Sequence, residues 1–188
     1  MGSFYTNVTI YGPNREQVVA GLDGRAAAVS PTSANGFTVV YHADSESQNY
    51  DLLLQLAGDL SRNLQCPAIA ILVHDDDILL YALFKSGEKA DEYNSCPGYW
   101  DGGSKQPSGG NAKELCSTFG VPDARFRVKG ILWSPKLLWW PYLFAIYRHR
   151  DLVRALQMPD YAVGIGWEYL RKGDLPMGLA EKDIHYNR

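Results

Sequence analysis

The feature that most constrains the fold is a pair of apolar runs separated only by an acidic turn. AIAILVH spans residues 68–74 and DILLYALFKSG spans residues 77–87, and both are rich in aliphatic side chains. Short apolar runs bounded by turn residues are typical of buried strands. Because so few residues separate them, the two strands should pair as an antiparallel hairpin. The VHDDD stretch between them is then the turn of that hairpin.

The chain before this hairpin alternates between strand and helix patterns. Strands are predicted at residues 6–12, 25–31 and 36–43. Helices are predicted after the capping residues Asn14 and Ser45, each followed by glutamine three positions on. The order up to His74 is therefore β-α-β-β-α-β, the ferredoxin-like order. We expect a single α+β domain over residues 1–188, in which an antiparallel or mixed sheet carries helices packed on one side.

The second half of the chain has weaker patterns. Residues 96–111 are rich in glycine and proline and predict a loop, after which Ala112 starts a short amphipathic helix. RFRVKGILW, at 125–133, alternates in its first half and predicts a strand. A helix is expected from Pro141 to about Gln157, and AVGIGWEYL, at 162–170, is expected to be the last strand.

Three cysteines and no CxxC pair argue against a disulfide framework and against a structural zinc site. No apolar run approaches the roughly 18 residues that cross a bilayer, and the N-terminus lacks the pattern of a signal peptide. Gly164-Ile165-Gly166 lacks the third glycine of a dinucleotide-binding loop. We therefore expect a cytoplasmic protein with no cofactor and no membrane partner.

Charge is distributed unevenly along the chain, although the net charge is only −3. Residues 44–101 carry three basic and eleven acidic side chains, a net charge of −8. Residues 102–188 carry thirteen basic and eight acidic side chains, a net charge of +5. The acidic middle argues against nucleic acid as a partner and favours a basic protein surface.

The VHDDD turn resembles a metal site or a catalytic cluster at first sight. Its members are consecutive, however, and consecutive strand residues point to opposite faces of a sheet. No HExxH motif or spaced histidine pair supplies further ligands. We therefore predict no metal site and favour a solvated turn used in recognition. The alternative that stays open is a small metal-assisted hydrolase or transferase using His74 and the neighbouring aspartates.

Aromatic residues stand beside acids at two places after the hairpin, and this combination is typical of protein-binding surfaces. The predicted partner-binding residues are Asp75, Asp76, Asp77, Asp91, Glu92, Tyr93, Tyr99, Trp100 and Asp101. No catalytic residue is predicted.

Two further stretches have open interpretations. KLLWWPYLF, at 136–144, is expected to lie in the core, but exposed it would mark a contact and a self-associating structural module. A basic run, Arg148-His149-Arg150 with Arg154 one turn on, is expected to form the solvent-exposed (wet) face of a helix. Such a run can also bind a phosphate or carboxylate.

Two blocks resemble segments of uncharacterised bacterial proteins. They are VHDDDILLYALFKSGEKADEYNS, at 73–95, and RHRDLVRALQMPDYAVGIGWEYLRKGDLP, at 148–176. Small acidic α+β proteins of this kind are often immunity proteins, which bind and neutralise a toxin. The resemblance implies a non-enzymatic immunity protein whose partner is a basic toxin domain.

Overall fold

The structure, a computed structural model, describes residues 2–134 and 142–187. Its strands form one antiparallel sheet. The strands are β1 Tyr5–Tyr11, β2 Ala27–Val29, β3 Phe37–His42, β4 Pro67–His74, β5 Ile78–Lys85, β6 Glu88–Asn94, β7 Ser108–Gly109 and β8 His185–Asn187. The helices are α1 Arg15–Gly21, α2 Tyr50–Asn63, α3 Ala112–Thr118, α4 Arg125–Trp133, α5 Ala145–Ala155 and α6 Trp167–Arg171.

The strand order is β7-β6-β5-β4-β1-β3-β2-β8, and every neighbouring pair is antiparallel. The four strands up to His74 lie together in the order β4-β1-β3-β2, which is the arrangement of the ferredoxin-like motif. The predicted α+β class and the antiparallel sheet are therefore confirmed. The later strands extend this motif at both edges.

The β4–β5 hairpin lies where the apolar runs predict it. Its register pairs Pro67 with Lys85 at one end and His74 with Ile78 at the other. Six consecutive β4 residues and seven of β5 are buried, which means that the hairpin is covered on both faces.

The arrangement of layers differs from the expected one. Helices α1 and α2 cover one face of the sheet, where Ala68, Ala70 and Leu72 of β4 point. Helices α3 to α6 cover the other face, where the alternate residues Ile69 and Ile71 point. The prediction that helices pack on one side of the sheet thus holds for the first half of the chain only. The helices of the second half cover the other face.

RFRVKGILW is helix α4, so the predicted strand is wrong. Its buried residues are Val128, Ile131 and Leu132, which follow helical spacing. Phe126 is 85% exposed, and its position among the arginines produced the misleading alternation. Tertiary packing against the sheet selected the helix.

AVGIGWEYL is not a strand either. It starts at the end of a 3-10 turn, Asp160–Ala162, and ends in α6. Gly164 has a φ of 80°, which is left-handed backbone that breaks an extended run. At Gly166 a Cβ atom would lie 2.4 Å from the carboxylate oxygens of Glu46, so a larger residue there would displace that carboxylate.

The predicted helix at 141–157 corresponds to α5, while Pro141 and most of KLLWWPYLF lie outside the described residues. Arg148 and His149 are both buried, so the expectation of a wet face is wrong for them. The Arg148 guanidinium donates to the carbonyls of Ile131, Leu132 and Ser134 at the end of α4. A cation is favourable at a helix C-terminus, and these acceptors satisfy its donors.

Candidate surface at the β4–β5 turn

Two aspartates of VHDDD have a conformational role. Asp75 and Asp76 have φ angles of 51° and 56°, and aspartate tolerates left-handed backbone better than most residues. Consecutive positive φ angles suit the tight turn between twisted antiparallel strands. The Asp77 amide donates to the His74 carbonyl at 2.9 Å and closes the turn.

The three aspartates differ in their surroundings. Asp76 is half-buried and tied on two sides: its carboxylate accepts from the Ser3 hydroxyl at 3.2 Å, and its carbonyl accepts from the Ala145 amide at 2.5 Å. Asp77 accepts from the Tyr99 hydroxyl at 3.4 Å. Asp75 is exposed. The turn is therefore anchored through Asp76 and presents Asp75 to solvent.

His74 lies at the centre of a group of rings, which we term the His74 ring cluster: Phe4, His74, Tyr99 and Trp100. The His74 ring centroid is 4.9 Å from that of Phe4, 5.9 Å from Tyr99 and 5.7 Å from Trp100. Tyr99 and Trp100 also meet edge to face at 5.3 Å. The His74 Nδ1 atom is 3.1 Å from the Gln48 side-chain oxygen, which fixes the imidazole. Such edge-to-face contacts hold the rings in defined positions.

The outer rings of this cluster are exposed. Trp100 is 62% exposed, and Phe4 is exposed as well. Phe144 and Tyr147, whose rings are 5.8 Å apart, are also exposed and adjoin Ala145, the residue bonded to Asp76. We use the term turn surface for the exposed or half-buried side chains gathered here: Phe4, Asp75, Asp77, Tyr99, Trp100, Asp101, Phe144 and Tyr147.

Carboxylates shape the chemistry of this surface. Partial desolvation and, after it, the nearby carboxylates of Asp77 and Asp75 raise the pKa of Tyr99. Its hydroxyl donates a hydrogen bond to the Asp77 carboxylate. Asp101 is exposed and accepts from the Gly103 amide at 2.9 Å, which stiffens the loop after Trp100.

Three predicted site residues lie elsewhere. Tyr93 is 2% exposed, stacks on Tyr81 at 5.3 Å and donates to the Leu132 carbonyl at 2.7 Å, so it lacks the exposure that a partner-binding ring needs. Asp91 accepts from the Tyr81 hydroxyl at 2.7 Å and from the Asn111 amide at 2.8 Å. Glu92 is exposed on the opposite face of β6 and pairs with Lys89 at 2.5 Å.

Sequence reasoning missed a half-buried acid, Glu46, between β1 and α6. Glu46 accepts from the Thr6 hydroxyl at 3.3 Å and from the Trp167 amide at 3.1 Å. Burial raises the pKa of Glu46 to about 7, against the opposing effect of these hydrogen bonds. The residues next to Glu46 in the sequence do not predict its desolvation, because the residues that surround it come from β1 and α6.

His149 is a second buried titratable group. Its Nδ1 atom is 2.7 Å from the Tyr5 hydroxyl, and both side chains are fully buried. Burial lowers the pKa of His149 to about 3, so the imidazole is neutral at physiological pH and accepts or donates as an uncharged ring. The pair belongs to the core between β1 and α5.

Within residues 2–134 and 142–187, no group of three or more His, Cys, Asp or Glu side chains is arranged to hold a metal ion. The same ranges contain no helix that is long and apolar enough to cross a membrane. Comparison of the chain with protein-family models, curated proteins and solved structures finds no match.

Proposed function

We propose that this protein is a non-enzymatic, cytoplasmic binding module, an immunity-type protein that neutralises a bacterial toxin by docking its turn surface on a basic face of that toxin. The observation that carries the proposal is Trp100, an indole that is 62% exposed yet held by edge-to-face contacts with His74 and Tyr99. A large exposed ring on a rigid support is the usual form of an interface anchor.

The hairpin beneath the rings holds them in fixed positions, which favours binding. The β4–β5 hairpin is buried along its length, and Asp76 ties its turn to the N-terminal segment and to the start of α5. Side chains that are already ordered lose little conformational entropy when a partner covers them. This preorganisation lets a small set of rings contribute most of the affinity.

The acids around the rings supply charge complementarity. Asp75 and Asp101 are exposed, and Asp77 adjoins Tyr99. Negative side chains at the rim of an interface accelerate encounter with a basic partner and exclude acidic ones. Of the originally predicted residues, Asp75, Asp77, Tyr99, Trp100 and Asp101 would contact the partner, and Asp76 would support them.

The three cysteines accord with a reducing compartment. Cys66, Cys96 and Cys116 are all buried, and none forms a disulfide. The metal-assisted alternative based on His74 has no supporting cluster in the described part of the chain, and the imidazole is engaged with Gln48 and three rings.

The experiment is a binding titration against the product of the adjacent gene, since immunity proteins are normally encoded beside their toxins. We expect Trp100→Ala to weaken binding by at least about tenfold. Asp75→Lys should slow association and reduce the salt dependence of the rate. Phe126→Ala and Glu88→Lys are matched controls, because both residues are exposed and lie outside the turn surface. Unchanged binding by Trp100→Ala and Asp75→Lys would remove the turn surface from the interface.

A further inference from the structure

A groove of about 410 Å³ lies between α3, α4 and the sheet edge formed by β6 and β7. Its lining includes three cations, Lys113, Arg125 and Lys129, together with the indole of Trp133 and the carboxylate of Asp91. It shares no lining residue with the turn surface, and its charge is opposite.

Helix α4 forms one wall of the groove. Arg125, Lys129 and Trp133 follow one another at intervals of four residues, so their side chains project from the same face of the helix. Val128 and Leu132, which lie on the adjacent face of the helix, anchor it in the core. The charges and the ring therefore stand on a fixed support, and Trp133 is 49% exposed.

The cations are not neutralised within the described chain. In residues 2–134 and 142–187, Lys113, Arg125 and Lys129 form no ion pair. Glu114, the acid adjacent to Lys113, is engaged with Lys85 at 2.9 Å. Three unpaired cations around one open groove favour an anionic ligand.

Asp91 decides which anionic ligand fits. One of its oxygens accepts from the Tyr81 hydroxyl and the Asn111 amide, while the other accepts from no described residue. A ligand made only of phosphates would bring negative charge against this carboxylate. A peptide, in contrast, carries N–H groups that donate to Asp91 and carboxylates that pair with the cations.

We propose that this groove binds an acidic, extended segment of a protein partner. Side-chain carboxylates of the segment pair with Lys113, Arg125 and Lys129, its backbone donates to Asp91, and an apolar or aromatic side chain lies on Trp133. This second binding surface goes beyond the proposed function and rests on different residues, so either surface can fail without the other.

The experiment selects ligands from a random dodecapeptide phage library on the full-length protein, with counter-selection on the Arg125→Glu/Lys129→Glu variant. We expect enrichment of peptides that combine several Asp or Glu residues with one aromatic or aliphatic residue. Synthetic copies should bind the double variant at least about tenfold more weakly in fluorescence anisotropy. Trp133→Ala should weaken them about fivefold, and added salt should weaken all binding to the native protein.

Arg127→Glu/Lys172→Glu is the matched control, since both residues are exposed, neither lines the groove, and the two substitutions change the net charge as much as the double variant does. Its affinity should stay close to that of the native protein, and Arg125→Gln repeats the test with a milder change. The proposal is overturned if no acidic peptides are enriched, or if they bind the double variant equally well. It is also overturned if a single-stranded oligonucleotide of equal charge binds as tightly, or if sedimentation shows a dimer that the double variant abolishes.

Discussion

Two short segments of the chain combine acids with aromatic residues, but they differ in the exposure of their rings. They are Asp91-Glu92-Tyr93 and Tyr99-Trp100-Asp101. The first lies in β6, where strand alternation turns Tyr93 into the core and Glu92 towards the other face. The second lies in the loop after β6, where Trp100 remains 62% exposed beside His74. An aromatic residue next to acids is therefore available to a partner only when strand alternation does not turn its ring into the interior.

The largest effect should come from Tyr93. Tyr93→Ala removes a fully packed ring and its bond to the Leu132 carbonyl, and we expect the free energy of unfolding to fall by about 3–5 kcal/mol. Tyr93→Phe keeps the ring and should cost about 1 kcal/mol. Urea denaturation measures both. A loss below about 1 kcal/mol for Tyr93→Ala would place this ring outside the core and erase the contrast with Trp100.

Asp91 and Asp101 extend the comparison to the acids. Asp91→Ala leaves the Tyr81 hydroxyl and the Asn111 amide without their acceptor, and we expect a loss of about 2 kcal/mol in the free energy of unfolding. Asp101→Ala removes one exposed turn contact and should change it by about 0.5 kcal/mol or less. Equal losses in thermal or urea denaturation would show that the two acids have the same structural role.

Glu46 gives the stability of the protein a dependence on pH. Its pKa of about 7 in the folded protein exceeds the ordinary value of 4.5, so between these pH values the folded state holds a proton that the unfolded state has released. Stability should therefore fall as pH rises from about 4.5 to 7, by about 1–2 kcal/mol.

The Glu46→Gln variant checks this slope. Glutamine keeps an oxygen for the Trp167 amide but cannot ionise, so the variant should gain stability above pH 7 and show a flatter profile. Urea denaturation at several pH values from 4.5 to 8 gives the comparison. A variant whose slope equals that of the native protein would assign the pH dependence to another group.

The smallest effect on stability should come from Trp100. Its ring is mostly exposed, and Trp100→Ala should change the free energy of unfolding by about 0.5 kcal/mol or less. Thermal denaturation checks this value. A loss of several kcal/mol would mean that the His74 ring cluster is part of the core and that packing alone holds Trp100 in place.

The fold could be predicted wherever the periodicity of apolar residues agreed with the turn or capping residues beside it. The apolar runs on either side of VHDDD gave the β4–β5 hairpin, and the capping residue Asn14 gave α1. The cap predicted for α2 was wrong, because Ser45 lies in a 3-10 turn and Asn49 caps the helix. Prediction failed for α4, because the exposed Phe126 imitates a strand pattern. It also failed around Gly166, where the next residue, Trp167, donates its amide to the distant carboxylate of Glu46.

The candidate site was predictable only in part, for the same reason. Asp75, Tyr99 and Trp100 belong to segments that stand out in the sequence, but Phe4 reaches His74 from 70 positions away along the chain. The burial of Tyr93 and of Arg148 depends on α4 and α5, which pack on β6 and β5 from the second half of the chain. Contacts of that range have no signature in local composition.

The measurement that tests the central claim most directly is the affinity of Trp100→Ala and Tyr93→Phe for the product of the adjacent gene, with both variants shown to be folded. The exposed ring should carry binding and the buried ring should not. We therefore expect at least about a tenfold loss for Trp100→Ala and a change of less than about twofold for Tyr93→Phe. Equal affinities for Trp100→Ala and the native protein would contradict the account.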